Sequence, residues 1–179
     1  IRAISGAAQQ HGSVYLNKSA VSFLSRLNTG QELKDQLKGI FSRKSAPVWM
    51  DSSTSEECRE IMGKIGGKEM MANLTGSTAF ERFTGPQIRA FYKREKKAYL
   101  ETEDIALVSS FMASLLLGKI ASLDYGDGSG TNLMDIFLKK WDKTIVKIIA
   151  PFLSSNWGTM PGSTWRPFRR SRPPSAISC

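Results

Sequence analysis

His11 is the only histidine in the chain, and the residues around it are of the kind that hold polar ligands. Gln9 and Gln10 precede it and Gly12 follows, so amides and an imidazole together offer donors and acceptors suited to a polyol or a sugar. The tiny residues Gly6, Ala7, Ala8 and Gly12 let the backbone turn tightly and let a ligand come close. A second cluster lies downstream, where Arg82 is flanked by Phe80, Glu81 and Phe83 and followed by Thr84, Gly85 and Pro86. The five fixed donors of a guanidinium can bridge several hydroxyls or a carbonyl. Asp51, at the end of the apolar run Val48 to Met50, is a further candidate, because ligands of open α/β sheets gather beyond the carboxyl ends of strands. Each has a plainer alternative. His11 could cap a neighbouring carbonyl in an ordinary hairpin, Arg82 could pair with Glu81 or Asp51, and Asp51 could simply precede a helix opened by a Ser53 and Glu56 capping box.

Short elements must carry these residues. A strand through Ile1, Ala3 and Ile4 is expected to run into the His11 loop and return along Val14 to Leu16 as a hairpin. The spacings Ala20, Phe23, Leu24, Leu27 and Leu33, Leu37, Ile40, Phe41 predict surface helices separated at Asn28 to Gly30. Val48 to Met50 reads as a buried strand, and Cys58, Ile61, Met62 and Ile65 as the apolar face of a helix that stops at Gly66 and Gly67. A shorter helix, Glu69 to Leu74, stops at Gly76. Arg82 falls at the entrance of a helix buried along Ile88, Phe91, Tyr92 and Tyr99.

Farther on, Ile105 to Val108 predicts a strand leading into a helix from Phe111 to Leu116 that is apolar nearly all round and is therefore expected to be buried. Leu138, Trp141, Ile145, Ile148 and Ile149 predict a single amphipathic helix with Lys139, Lys140, Lys143 and Lys147 opposite. Strands alternating with helices indicate an α/β domain. Between them, the loop Asp124 to Thr131 spaces its acids like a calcium loop but lacks the glutamate at the twelfth position, and it lacks the Gly-Lys-Ser/Thr of a phosphate loop. A structural role is expected for it.

A length of 179 residues suits one domain, and 41% hydrophobic with 23% charged residues is a globular composition. The net charge is +9, of which the stretch Ser155 to Cys179 supplies +4 through Arg166, Arg169, Arg170 and Arg172 without any acid. The remaining basic residues lie on helix surfaces, so no nucleic-acid partner is expected. No run approaches the roughly 20 apolar residues of a membrane span, and no membrane partner is expected. Cys58 and Cys179 form neither a disulfide framework nor a metal-ligand pattern, which points to a reducing, cytoplasmic setting and no metal site. The opening Ile-Arg-Ala-Ile has no methionine, so the chain is expected to be cut from a longer protein. Past Leu153 the composition shifts to Ser, Pro, Gly and Arg. Residues 1–153 are accordingly taken as the domain and 154–179 as an unmatched basic tail, disordered or aberrant.

The segment Ser5 to Tyr15 resembles the substrate loop of the xylulose kinases in the FGGY carbohydrate kinase family. Further blocks are similar to eukaryotic-type members in the same order: Pro47 to Thr54, Leu74 to Ser77, Phe80 to Ile88, Leu107 to Phe111 and Asp124 to Gly130. The resemblance covers Ile1 to about Ala150. It implies an incomplete N-terminal, sugar-binding lobe of a ribonuclease-H-like kinase related to actin and hexokinase. It also implies transfer of the ATP γ-phosphoryl group, with Mg²⁺, to the 5-hydroxyl of D-xylulose. By the same resemblance His11 and Arg82 hold the sugar, with Gln10 and Asp51 as further candidate contacts. The family's phosphate-binding turn, catalytic aspartate and adenine lobe match nothing in this chain. No catalytic residue is therefore assigned, Asp124 and Asp127 included, and the chain alone is expected to be inactive. A related kinase of another polyol or ketose and a non-enzymatic basic binding protein are the alternatives.

Overall fold

Strand β1, Ser13–Asn17, divides the apolar side chains between two cores because successive residues of a strand face opposite ways. Tyr15 enters the main cluster with Ile88, Phe91, Tyr99 and Ile105, whereas Leu16 enters a smaller one with Ala20, Leu37 and Ile40. The structure is a computed structural model and describes residues 2–4 and 6–149; the stretch 154–179 and Cys179 within it lie outside the described residues. β1 pairs antiparallel with β2, Thr102–Leu107, with Ser13 opposite Leu107 and Asn17 opposite Thr102. The expected hairpin with residues 1–4 is thus absent among the described residues. Arg2, Ala3 and Ile4 are exposed, and β2 instead offers Ile105 and Leu107 to the apolar face of β1.

The surface helices are short: α1 is Ala20–Leu24 and α2 is Leu33–Gln36. Val48 to Met50 is not a buried strand. It is an exposed turn, Met50 being 67% accessible, closed by the Asp51 N–H on the Val48 carbonyl at 3.0 Å. Helix α3, Ser55–Ile65, is preceded by Thr54 rather than by a Ser53 capping box. The Thr54 hydroxyl donates to the Glu81 carbonyl at 2.6 Å instead of capping the helix, and the Ser53 N–H is taken by the Asp51 carboxylate at 2.8 Å. As expected, α3 stops at Gly66, and α4, Lys68–Thr75, stops at Gly76, both glycines lying at positive φ. The single helix expected from Arg82 to Tyr99 is instead two: α5, Thr84–Arg94, ends where Glu95 leaves the helical conformation, and Tyr99 is carried by α6, Lys96–Glu101. Arg89, Lys93 and Arg94 of α5 reach across to Glu56, Glu57 and Glu60 of α3, and the Arg89 and Lys64 bonds hold the Glu60 carboxyl down to about 2.

Helix α7, Val108–Leu117, reverses the expectation of burial: Met112, Leu116 and Leu117 are exposed, while Ser110 and Ser114 face inward. The serines fit there because their hydroxyls are satisfied locally. Ser110 bonds the Leu107 carbonyl, and Ser114 donates to the Ser110 carbonyl at 2.6 Å while accepting from the Ala121 N–H at 2.9 Å. The single amphipathic helix expected around Trp141 is also replaced. After α8, Tyr125–Ser129, the chain forms a hairpin of β3, Met134–Asp135, and β4, Lys140–Trp141, and only then α9, Lys143–Ile149. Two aspartates decide this. The Asp135 carboxylate accepts the Phe137 and Leu138 N–H groups at 2.9 and 2.8 Å and turns the chain, and Asp142 accepts the Ile145 N–H at 2.7 Å and opens α9. The result is a mixed α/β arrangement in which α3, α5 and α9 close over the main core.

Candidate functional site

The His11 loop is fixed from its C-terminal side. The Gly12 carbonyl accepts from the Val108 N–H at 3.1 Å, continuing the β1–β2 ladder, and a Cβ on Gly12 would stand 2.8 Å from Val108 Cγ2. Only a glycine passes the start of α7 so closely. His11 beside it adopts φ of 62°, in the left-handed region. Such a conformation costs a non-glycine residue on the order of 1–3 kcal/mol and persists where the surroundings over-determine it, often at functional sites.

The half-buried imidazole lies 4.7 Å from the Phe83 ring centroid and bonds the backbone of Gly130. Burial and the nearby Arg82 charge lower its pKa below the ordinary 6.5, against the opposing effects of the Gly130 bond and the Asp127 carboxylate. It is therefore neutral at pH 7. A neutral imidazole that donates one N–H to a carbonyl keeps its other nitrogen as an acceptor.

Arg82 arrives from the lead-in to α5, and that lead-in is anchored through its backbone. The Glu81 carbonyl accepts from both Thr54 Oγ1 at 2.6 Å and Gln87 Nε2 at 3.0 Å, and the Glu81 carboxylate accepts from Ser55 at 2.9 Å. The Phe83 N–H closes a turn on the Phe80 carbonyl at 3.0 Å, and Gly85 donates to the Thr131 carbonyl at 2.8 Å. A Cβ on Gly85 would meet Ile149 Cδ1 at 2.9 Å and the Thr131 carbonyl oxygen at 3.0 Å, so glycine is required there too. The guanidinium lies over the Phe80 ring at 4.5 Å, and Phe80 in turn contacts Phe83 at 5.9 Å between centroids. His11, Phe83, Phe80 and Arg82 thus form a continuous aromatic and cationic surface.

Two of the residues singled out from the sequence are brought together, His11 lying within range of the Arg82 charge. Asp51 is engaged elsewhere: burial raises its pKa, but the Ser53 bonds, the Gln87 amide and the Arg94 charge outweigh this and leave it lowered. Through Gln87 it borders the network that anchors Glu81. Gln10 is exposed in the turn before His11.

Asp127 and Ser109 were not singled out as site residues. The Ser109 hydroxyl donates to the Asp127 carboxylate in a short bond, while Asp124 caps α8 by accepting the Asp127 N–H at 3.0 Å. The signal available in the sequence was the spacing of Asp124 and Asp127, which puts the first at a helix N-cap and the second in its first turn. Among the described residues no cluster of three or more His, Cys, Asp or Glu could hold a metal ion, and no helix is long and apolar enough to cross a membrane. The arrangement suits binding: a neutral acceptor and a set of guanidinium donors on one apolar-backed surface.

Residues 42–161 match the model of the FGGY family of carbohydrate kinases, N-terminal domain. The chain is 47% identical over 158 residues to xylulose kinase 2 of Arabidopsis thaliana, covering 88% of this chain and 28% of that protein. It is 45% identical over 159 residues to xylulose kinase of Mus musculus, covering 89% and 29%. The chain thus spans less than a third of the length of these relatives. Among solved structures, xylulose kinase from Bifidobacterium adolescentis superposes with a TM-score of 0.64 at 17% identity, covering 83% of this chain and 31% of that one. Plasmodium falciparum glycerol kinase with ADP gives 0.60 at 19% identity, covering 79% and 25%. These likenesses establish the sugar-kinase fold of the actin and hexokinase type, here in part.

Proposed function

Because this chain belongs to the FGGY family of carbohydrate kinases, we propose that the protein carrying it phosphorylates D-xylulose with ATP and Mg²⁺ in the cytoplasm, residues 1–153 forming part of its sugar-binding lobe. The observation that supports this most strongly is identity of 45 to 48% to xylulose kinases over more than four-fifths of the chain. ATP supplies the phosphoryl group; among the described residues no cluster of three or more His, Cys, Asp or Glu could hold a metal ion, and no step of the transfer is assigned to them.

Their part is to hold the sugar. Arg82 donates to its hydroxyls or ketose carbonyl, and the neutral His11 accepts a hydroxyl proton in a hydrogen bond. Gln10, exposed beside His11, is a candidate for a further amide contact, whereas Asp51 supports the Arg82 lead-in through Gln87. Fixing one reactant in this way is a large part of phosphoryl-transfer catalysis, because the chemistry depends on in-line positioning. The test is ATP consumption by the full-length protein with D-xylulose, D-ribulose and glycerol offered separately. Turnover with D-xylulose is expected to dominate; preference for glycerol or ribulose would move the protein to another substrate within the family, and no turnover with any of them would remove the kinase reading.

A further inference from the structure

Phe80 and Phe83 are large apolar side chains that enter neither the main hydrophobic cluster nor the smaller one, and Phe80 is 45% exposed. Among the described residues their aromatic and cationic contacts are with each other and with the two polar groups of the site. The rings stand 5.9 Å apart at 48°, the His11 imidazole lies 4.7 Å from the Phe83 ring at 43°, and Arg82 Cζ lies 4.5 Å from the Phe80 centroid. These separations are those of favourable ring pairs and of cation–π contacts. One turn produces the arrangement. Because the Phe83 N–H bonds the Phe80 carbonyl at 3.0 Å, the two rings occupy the first and last positions of a β-turn with Glu81 and Arg82 at its corner. The Thr54 and Gln87 donors on the Glu81 carbonyl hold that corner, and the Gln87 N–H on the Phe83 carbonyl at 3.2 Å ties its end into α5.

The rings orient polar groups without occupying them. Among the described residues the Arg82 guanidinium makes no hydrogen bond and no ion pair, the carboxylates of Glu81 and Asp51 being engaged by Ser55 and Ser53, and the Phe80 face is the contact that orients it. A ring face attracts a guanidinium and takes none of its N–H donors, whereas a carboxylate partner in the usual forked pair would take two. Phe83 likewise borders the imidazole without claiming either nitrogen, since a phenyl ring carries no conventional donor or acceptor. One nitrogen then serves the Gly130 backbone and the other stays open.

We propose that Phe80 and Phe83 are positioning residues of the sugar site: one aromatic pair on one turn seats the Arg82 guanidinium on one ring and the His11 imidazole on the other, setting their spacing while leaving their hydrogen-bonding groups to the sugar. This role rests on the reading of His11 and Arg82 as sugar contacts. Replacing a ring by an aliphatic side chain keeps an apolar surface but removes the quadrupole that attracts the cation. A guanidinium released in this way must be ordered again each time the sugar binds, which weakens binding.

The test uses the full-length enzyme with Phe80→Leu, Phe80→Tyr, Phe83→Leu, Arg82→Ala, His11→Gln and the double variant Phe80→Leu with Arg82→Ala, each followed by steady-state kinetics and thermal unfolding. Phe80→Leu is expected to raise the KM for D-xylulose by a factor of about 2 to 5, the scale of one exposed cation–π contact, with the KM for ATP unchanged. Phe80→Tyr, which keeps the ring face, should restore most of that loss. In the Arg82→Ala background Phe80→Leu should raise the sugar KM no further, because the ring acts through the guanidinium. Phe83→Leu, which unseats the imidazole and the partner ring together, should raise the same KM by a factor of about 3 to 10. An unchanged sugar KM in Phe80→Leu, an equal rise with and without Arg82, or a Tyr variant no better than Leu overturns the proposal, since the ring then acts on the sugar or the fold by itself or not at all. Should Phe83→Leu fail to fold, the exposed Phe80 still gives the decisive comparison. If Arg82→Ala and His11→Gln both leave the sugar KM unchanged, the sugar-contact reading fails. If both raise it while Phe80→Leu is silent, the role of the rings alone fails.

Discussion

The two halves of the candidate site are held in opposite ways. The His11 loop is fixed by what its backbone cannot avoid: a glycine squeezed against Val108 and a histidine in the left-handed region. The Arg82 lead-in is fixed by what its backbone is given, since the Glu81 carbonyl receives two side-chain donors from different elements and Gly85 is tied to Thr131. A strained loop depends on packing, whereas a hydrogen-bonded one depends on buried polar partners. The first should tolerate changes of side chain poorly at Gly12, and the second should respond most to loss of Thr54 or Gln87.

The largest expected effect lies on the guanidinium itself. In the full-length enzyme Arg82→Ala should lower kcat/KM for the sugar by about 1.5 to 3 kcal/mol, the range of a charge-assisted hydrogen bond, with nucleotide affinity little changed. Loss of nucleotide binding instead would place Arg82 at the other substrate and sever it from His11. The chain by itself, which spans less than a third of its relatives, is expected to show no xylulose-dependent ATP turnover. Turnover by the purified chain would mean that the catalytic parts had been sought in the wrong place.

Next in size are the glycines. Gly85→Ala drives a methyl into the Thr131 carbonyl as well as Ile149, and backbone yields less readily than a side chain. An overpacking cost of about 1 to 3 kcal/mol is expected from thermal or urea unfolding. Gly12→Ala meets only the Val108 methyl, so its stability loss should be the smaller of the two while its damage to sugar binding is the greater. Equal effects on sugar binding would erase the distinction between the two halves. Thr54→Val removes one of two donors from the Glu81 carbonyl and should cost about 0.5 to 1.5 kcal/mol, with a modest rise in sugar KM.

How much of this could be read from residues alone follows the same division. His11 and Arg82 stood out singly by residue type, each with a plainer reading beside it, and only the family resemblance joined them; the structure brings the Arg82 charge within reach of His11. The helices α3 and α4 were legible because their apolar spacing and glycine stops are local signals, whereas the end of α5 at Glu95 carried no such stop. Strand pairing was not: β1 had a nearer apolar run at residues 1–4, and only the assembled core favours β2. The α7 face was misjudged because a helix rich in Leu and Met looks buried, although Ser110 and Ser114, four apart, marked the side able to lie close to neighbouring backbone. Asp135 and Asp142 carried turn and cap signals that apolar periodicity overrode between Leu138 and Ile149. Thr54 could not have been assigned to Glu81 at all, because that bond joins residues far apart in sequence, and the nearer Gln87 bond falls at no helical or strand spacing that would mark it.

The smallest expected effect separates the loop from the lead-in by pH. Among the described residues His11 is the group of the site whose ordinary pKa of 6.5 lies near neutrality, and its folded value is lower, chiefly through burial and then through Arg82. Between the two values the unfolded chain binds a proton that the folded site refuses, so folding stability is complete above about pH 6.5 and declines as the pH falls toward and through the folded value. Sugar binding should follow the same course, flat from pH 7 to 8 and failing only in acid, because protonation removes the acceptor nitrogen. His11→Gln, which keeps polar groups but cannot titrate, should flatten that acid decline in both stability and sugar KM. Thr54→Val should leave its midpoint where it is, since the lead-in contributes hydrogen bonds and no titrating group near neutrality. A sugar KM that begins to rise above pH 7, or a decline that survives in His11→Gln, would mean that the titration belongs to another residue and that the strained loop does not set the pH behaviour of the site.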